Sequence, residues 1–201
     1  MSVCSNGVYR FVTSAVRVVF RIAHPVLEIE GREKFPEGAA VICCNHCGIT
    51  DPFWVIAWSR LKRLPRTMAK KELYKWKPLA WACEKFGAFP VDRGAPDINA
   101  IKTAMQVLKS DNKLLIFPEG TRVKKGKKSE PHSGALLIAV RMKAPVIPTY
   151  LSVKRGLFRK VRLIFGEPYF PEYAGPKPTG EELEQRTKEM MEKIYQMGER
   201  A

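Results

Sequence analysis

Short apolar runs alternate with longer segments of helical periodicity from residue 26 onward. The run at 39–44 is continuously apolar, which is typical of a strand buried on both faces. Asp51 is predicted to cap the next helix, because Asp suits a helix N-cap and the following Pro52 suits the first turn. Strands that alternate with helices predict an α/β fold, a single-domain sandwich with a central, mostly parallel sheet flanked by helices. The predicted strands are 26–30, 39–44, 66–69, 88–91, 113–117, 146–151 and 161–165, and the predicted helices are 51–60, 71–86, 96–110, 134–142 and 179–197.

The N-terminal segment has a different pattern. Arg10, Arg17 and Arg21 share one face of an amphipathic helix predicted at 7–23, and apolar side chains cover most of the rest. Such a helix can lie in a bilayer interface with its arginines toward the head groups, or it can pack on the protein's own core. The wide apolar arc favours membrane contact. We expect neither a signal peptide nor the roughly 20 apolar residues that a spanning helix needs. The predicted division is a membrane-associating helix at 1–24 and a folded domain at 25–201.

The chain is strongly basic. Its 201 residues include 35 Lys and Arg against 20 Asp and Glu, a formal net charge of +15. This excess favours an anionic partner such as a phosphate-bearing ligand, an acidic membrane surface or nucleic acid, although a solvated basic surface has the same composition. The basic run at 124–128 contains no aromatic residue and no nucleic-acid-binding pattern is present, so we expect no nucleic acid partner. Lys154 and Arg155 extend the basic surface, either as a solvated rim or as a surface that steers an acidic partner.

The cysteines indicate reduced thiols. They are odd in number and irregularly spaced, which suits a cytosolic protein better than a disulfide framework. Cys44 and Cys47 have the spacing of a redox or zinc pair, but no second pair follows, and the other histidines lack ligand spacing. We therefore expect no metal site. The five cysteines are Cys4, Cys43, Cys44, Cys47 and Cys83.

Polar residues follow three of the predicted strands. His46 and Asp51 come after strand 39–44, Arg93 comes after strand 88–91, and the block Phe117-Pro118-Glu119-Gly120-Thr121-Arg122 closes strand 113–117. Ligands of parallel sheets gather beyond the carboxyl ends of the strands, so these side chains are expected to converge at one edge. The sequence thus predicts one polar site built from separated segments.

His46 is the natural proton acceptor of this group, because histidine exchanges a proton most readily near neutral pH. A turn aided by Gly48 would bring Asp51 to the imidazole, where the carboxylate would fix the tautomer and stabilise the imidazolium. No G-x-S-x-G segment supplies a serine nucleophile, and Cys47 directly follows His46, a spacing at which side chains seldom face each other. The pattern favours an enzyme whose nucleophile is a substrate hydroxyl. A structural histidine is the alternative.

Glu119 and Arg122 bring a carboxylate and a guanidinium to a tight turn that Gly120 permits. Arginine suits bidentate recognition of phosphate, and the glutamate can accept hydrogen bonds from polyol hydroxyls. The alternative is a surface salt bridge, which is less expected after five apolar residues. Arg93 is a second candidate anion ligand, with a plain surface turn as its alternative.

Four segments together resemble the ordered motifs of the glycerolipid acyltransferase family. They are Asn45-His46-Cys47-Gly48-Ile49-Thr50-Asp51, Gly87 to Gly94, Phe117 to Arg122 and Val146-Ile147-Pro148. The similarity extends over about 26–165; the third segment is highly specific and the fourth is weak alone. Thr50 stands where the family commonly has serine, which keeps the hydroxyl. The second segment most resembles members that use a monoacyl acceptor, the 1-acylglycerol-3-phosphate acyltransferases.

The resemblance implies transfer of an acyl group to a lysophospholipid acceptor, with phosphatidic acid as product. No cofactor is implied, since the donor is an acyl-coenzyme A or acyl carrier protein thioester. We expect a peripheral or monotopic protein on the cytoplasmic face of a membrane with anionic lipid. The alternatives are transfer to glycerol 3-phosphate or another lysolipid, and a non-catalytic basic module that binds membrane or nucleic acid. The implied roles are His46 as general base, Asp51 as its orienter, Arg93, Glu119, Gly120, Thr121 and Arg122 as glycerol phosphate ligands, and Pro148 on the acyl-donor side.

Overall fold

The computed structural model describes residues 6–92, 97–123 and 129–199. The strands within these ranges are β1 (Leu27–Glu30), β2 (Ala40–Cys44), β3 (Arg66–Lys70), β4 (Ala88–Val91), β5 (Lys113–Ile116), β6 (Val146–Leu151) and β7 (Val161–Phe165). The α-helices are α1 (Asn6–Ala23), α2 (Asp51–Ser59), α3 (Lys77–Lys85), α4 (Ile98–Lys109), α5 (Gly134–Met142) and α6 (Gly180–Glu199). Short 3-10 turns cover Arg32–Lys34 and Lys71–Lys75.

The seven strands described form one sheet in the order β1-β7-β6-β2-β5-β3-β4. Five neighbouring pairs are parallel, and the pair of β6 with β7 is antiparallel. The exception has a simple cause, because the chain from β6 to β7 is a loop without the helical crossover that a parallel connection requires. The prediction of a mostly parallel sheet flanked by helices is confirmed.

Hydrophobic cores lie on both faces of the sheet. Ala40, Ile42 and Cys44 of β2 face the core formed with α1 and α2. Val41 and Cys43 face the core formed with α4, α5 and α6. Every residue of β2 is buried, as the continuous apolar run predicted.

Apart from shifts of one or two residues at the ends of elements, two sequence predictions about the helices differ from the structure. The predicted helix at 71–86 divides into a 3-10 turn and α3, with Pro78 in the first turn of α3, where its missing N–H costs no intrahelical bond. The prediction that Asp51 caps α2 is wrong. Thr50 holds the cap position and Asp51 is the first helical residue.

Helix α1 packs on α2 along one side. Tyr9 and Thr13 are buried, the Phe20 ring lies 4.5 Å from that of Trp54, and Arg17 donates a hydrogen bond to the carbonyl of Ala57 at 3.1 Å. The opposite side, here called the outer face of α1, is apolar and exposed; it comprises Phe11, Val18, Val19 and Ile22.

The two interpretations of the N-terminal segment, packing on the protein's own core and contact with a membrane, therefore apply to opposite sides of α1. One side packs on the protein's own core, and membrane contact of the outer face stays a prediction. Among the residues that the structure describes, no helix combines the length and apolarity needed to cross a membrane.

Candidate active site

A crevice forms at the carboxyl edge of the sheet between β2 and β5. The strands are neighbours, with Cys43 opposite Ile116. After β2 the chain enters α2 on one face of the sheet, and after β5 it continues to α5 on the other face. Connections that diverge in this way leave a ligand-sized opening above the strand ends. His46 and Phe117 follow the two strands and lie there.

His46 and Asp51 meet in this crevice. The distance from His46 Nδ1 to Asp51 Oδ2 is 2.8 Å, and the carboxylate is fully buried while 12% of the imidazole is exposed. The same oxygen accepts hydrogen bonds from the N–H groups of Cys47 at 2.6 Å and Gly48 at 2.8 Å. The carboxylate thus turns back onto the preceding loop instead of capping α2.

This geometry determines the chemistry that the imidazole can perform. An ionised carboxylate only accepts hydrogen bonds, so Nδ1 of His46 must donate to Asp51. The neutral ring then has Nε2 as an acceptor, able to take a proton. Asp51 would stabilise the imidazolium that results.

Arg155 reaches the same carboxylate from the loop between β6 and β7. Its Nη2 donates to Asp51 Oδ1 and its Nη1 donates to the carbonyl of Ser152. Only 8% of the Arg155 side chain is exposed, so the interpretation of this arginine as part of a solvated rim is wrong. Lys154, its neighbour, is exposed as expected. A pairing across 104 positions leaves no local signal in the sequence.

Glu119 supports His46 from the neighbouring segment. Its Oε2 accepts a hydrogen bond from the backbone N–H of His46 at 2.6 Å, and its Oε1 accepts one from the hydroxyl of Tyr195 on α6. The residue is 3% exposed rather than part of a surface salt bridge. Burial raises the pKa of the Glu119 carboxyl, while the two hydrogen bonds act in the opposite direction. A role in binding polyol hydroxyls stays a prediction, and Tyr195 had no signal in the sequence.

The turn that contains Glu119 depends on Gly120. Gly120 has a φ of +65°, and a Cβ at this position would lie 2.6 Å from Cδ2 of His132. Thr121 and Arg122 follow on the exposed side of the turn. The N–H of Val123 then donates to the carbonyl of His46 at 2.8 Å, so the exposed residues lie beside the histidine.

A mainly apolar cavity of about 450 Å³ adjoins the crevice, and Asp92, Asp97 and His132 also line it. Phe117 lines it, and the same ring lies 4.4 Å from the His46 ring. The cavity extends between the sheet and helices α4 and α5, and its apolar lining includes Met68, Val91, Ile101, Ile116 and Ile138.

The remaining predicted site residues lie elsewhere. Pro148 is buried in β6 opposite Cys43 and is not part of the cavity wall. Its strand is nevertheless tied to the His46 loop, because the Asn45 side chain exchanges two hydrogen bonds with the backbone of Leu151 at 2.8 and 2.9 Å. Arg93 lies outside the described residues.

Cys47 is not a rival nucleophile. Burial, followed by the nearby charges of Glu119 and Asp51, raises the pKa of its thiol to about 11. The thiol therefore stays protonated near neutral pH, where the thiolate would be the reactive form. Over the described ranges, no group of three or more His, Cys, Asp or Glu side chains is arranged to hold a metal ion.

Comparison with known proteins identifies the family of this chain. Residues 26–152 match the family model described as Acyltransferase. A Bacillus subtilis protein named 1-acyl-sn-glycerol-3-phosphate acyltransferase is 33% identical, with 94% of this chain and 100% of that protein aligned. A Cocos nucifera protein of the same name is 32% identical over 94% of this chain and 61% of its own length. The crystal structure of the 1-acyl-sn-glycerophosphate acyltransferase from Thermotoga maritima has the same fold, with a TM-score of 0.70, 22% identity and coverage of 96% of this chain and 82% of that one. This chain belongs to the acyltransferase family.

Proposed function

We propose that this enzyme transfers a fatty acyl group from an acyl thioester to the free hydroxyl of 1-acylglycerol 3-phosphate, a step of phospholipid biosynthesis that yields phosphatidic acid. The observation that carries the proposal is the hydrogen bond between His46 and a fully buried Asp51 in a crevice where the Cys47 thiol stays protonated. The name of the Bacillus subtilis relative, which aligns over its full length, supports this choice of acceptor.

The proposed step uses the acceptor hydroxyl as the nucleophile. Nε2 of His46 removes the hydroxyl proton while the oxygen attacks the thioester carbonyl carbon. A C–O bond forms, and the C–S bond breaks when the tetrahedral intermediate collapses. The imidazolium, stabilised by Asp51, returns the proton to the departing thiolate, so the dyad ends the cycle unchanged.

Arg122 is the proposed ligand of the acceptor's phosphate. It is exposed on the turn whose next residue, Val123, is hydrogen-bonded to the backbone of His46. A guanidinium binds phosphate through two parallel hydrogen bonds, which would orient the glycerol hydroxyl toward the imidazole. Thr121 can add a hydroxyl contact, and Arg93 is proposed as a second cation.

The apolar cavity beside Phe117 is the proposed site for an acyl chain. Its volume of about 450 Å³ falls in the range of small-molecule pockets. Because Phe117 contacts both the cavity and the His46 ring, a chain bound there would end close to the base. Acyl-coenzyme A and acyl carrier protein thioesters are alternative donors. The role of Pro148 on the acyl-donor side stays a prediction.

We also propose that the outer face of α1 lies on a cytoplasmic membrane surface that contains anionic lipid. Leu157 and Phe158, each 67% exposed, extend this apolar surface, since the N–H of Phe158 donates to the carbonyl of Ala23 at the end of α1. Arg10 and Arg21 are exposed on the same helix and can meet anionic head groups. A lysolipid acceptor would then reach the crevice from the bilayer.

A transfer assay with purified protein tests the catalytic proposal. Lysophosphatidic acid, glycerol 3-phosphate and other lysolipids are each combined with acyl-coenzyme A and acyl carrier protein thioesters. We expect the fastest transfer to lysophosphatidic acid and its loss in His46→Ala, with folding and vesicle binding retained. Unchanged transfer by His46→Ala would exclude His46 as the base. Folded protein that binds vesicles but transfers to no acceptor would support the non-catalytic alternative.

A further inference from the structure

The two oxygens of the Asp51 carboxylate have separate partners. Oδ2 receives the hydrogen bonds from His46, Cys47 and Gly48. Oδ1 faces Nη2 of Arg155, whose guanidinium is itself held by the carbonyl of Ser152. Since the carboxylate is fully buried, the guanidinium replaces the water that would otherwise solvate this oxygen.

The loop before α2 leaves room for this arginine. A Cβ at Gly48 would lie 2.7 Å from Nη2 of Arg155 and 3.1 Å from Oδ1 of Asp51. Any side chain at position 48 would therefore occupy the space in which the guanidinium meets the carboxylate. The gap that admits Arg155 therefore depends on the missing side chain of Gly48, whose backbone N–H also donates to Oδ2 of Asp51.

We propose that Arg155 is a positioning residue for acyl transfer, which fixes the Asp51 carboxylate toward His46. This inference rests on the proposed function. A carboxylate bonded through both oxygens cannot rotate away from the imidazole, so Nε2 stays aimed at the acceptor hydroxyl. The guanidinium also offsets part of the carboxylate's negative charge, which would otherwise favour protonation of His46.

Other ionisable groups face the pair as well. Glu119 approaches from the turn after β5 and Cys47 lies on the His46 loop, while Tyr195 of α6 bonds to Glu119. Both Glu119 and an ionised Cys47 would add negative charge. Of the ionisable side chains named here, Arg155 is the one that brings a positive charge to Asp51. Its removal therefore makes the surroundings of the carboxylate more negative.

The test compares Arg155→Met, Arg155→Lys and Lys154→Met in the transfer assay as a function of pH. For Arg155→Met we expect kcat to fall about 10- to 100-fold with the acceptor KM unchanged. The acid limb of its pH–rate profile moves to higher pH, because His46 takes up a proton more readily beside an uncompensated carboxylate. Arg155→Lys keeps the positive charge but loses the two-nitrogen geometry that bonds both Asp51 and Ser152. We therefore expect its acid limb to stay near that of the parent, and its kcat to fall less than that of Arg155→Met. Lys154→Met, an exposed neighbour, leaves kcat and the limb unchanged.

Parental kcat and pH profile in Arg155→Met would overturn the inference, and so would a raised acceptor KM at unchanged kcat, which would make Arg155 a substrate contact. If Arg155→Met fails to fold, the test rests on Arg155→Lys. A parental kcat in Arg155→Lys would show that the two guanidinium hydrogen bonds are not needed to position Asp51. These failures differ from failure of the proposed function. In that case His46→Ala itself retains transfer.

Discussion

The surroundings of His46 and the outer face of α1 are built on opposite principles. Around His46, buried charged groups are held by individual hydrogen bonds, as Asp51 and Glu119 both show. The outer face exposes apolar side chains, and Phe11 and Ile22 are 75% and 71% exposed. A bonded buried charge depends on every partner, whereas an apolar surface contributes in proportion to its area. A change of a single atom should therefore abolish acyl transfer when it is made beside His46. Replacement of a side chain on the outer face of α1 should only weaken membrane binding, in proportion to the apolar area lost.

The largest expected effect is that of Asp51→Asn, which changes one atom of the buried carboxylate. The asparagine amide has one NH2 group, which must stand where one of the two carboxylate oxygens stood. At Oδ2 it would face the donors of His46, Cys47 and Gly48, and at Oδ1 it would face the donor of Arg155, so one set of hydrogen bonds is lost in either orientation. We expect kcat to fall on the order of 10⁴-fold, as for the equivalent change in serine protease triads. Steady-state acyl transfer measures this.

The control for that variant is Asp111→Asn, at an exposed turn where both residue types accept a positive φ. It should transfer at the parental rate. Near-parental kcat in Asp51→Asn would show that the carboxylate does not orient the base. Vesicle binding should be the same in both variants, which keeps the two regions separate.

A smaller effect is expected from Phe11→Ser combined with Ile22→Ser on the outer face. Burial of such side chains contributes roughly 1.5–3 kcal/mol each, so vesicle partitioning should fall about tenfold or more per side chain. Co-sedimentation with anionic vesicles measures the loss. Transfer to a micelle-free, short-chain acceptor should be retained, because neither side chain lies in the crevice.

Phe170→Ser is the matched control for the membrane variant. Phe170 is 62% exposed but follows Tyr169, which pairs with Val146 at the opposite end of β6 from the crevice. Its replacement should leave partitioning unchanged. Equal losses in the two variants would mean that the outer face has no special role. Deletion of α1 is a poorer test, since it would also uncover the core around Trp54.

The smallest expected effect concerns the pH dependence of stability. Burial raises the pKa of Glu119 in the folded protein. Its contribution to stability is then fully present below the unfolded-state pKa and is lost as pH rises through the folded-state pKa. Glu119→Gln removes this titration, so the fall in unfolding free energy over that window should become shallower. Chemical denaturation at several pH values, with exposed Glu192→Gln as control, measures the slope. An unchanged slope in Glu119→Gln contradicts the assigned burial effect.

Local features of the fold and site could be predicted from the sequence. The apolar run of β2 indicated a central strand, and five residues with a glycine between them sufficed to suggest that His46 and Asp51 meet. Pairings between distant segments could not. Arg155 is one of many exposed-looking cations until the β6–β7 loop folds over Asp51, and Tyr195 reaches Glu119 across 76 positions.

Burial was the second quantity that the sequence did not reveal. Glu119 and Arg122 stand three residues apart in one polar block, yet the first is buried and bonded while the second is exposed. Helix α1 posed the same difficulty, because one part of its apolar arc is buried against α2 while the other part is exposed on the outer face. Periodicity identifies which side chains share a face, but it does not say what that face contacts.

The proposed catalysis requires that neutral His46 donates Nδ1–H to Asp51 and offers an unprotonated Nε2 to the acceptor. Nitrogen NMR of histidine-labelled protein tests it most directly, since the chain has three histidines and His24→Gln and His132→Gln assign the signals. At a pH where transfer is fast, we expect a protonated Nδ1 and an unprotonated Nε2 for His46. The opposite tautomer, with the proton on Nε2, would contradict it, because that nitrogen could not accept the hydroxyl proton.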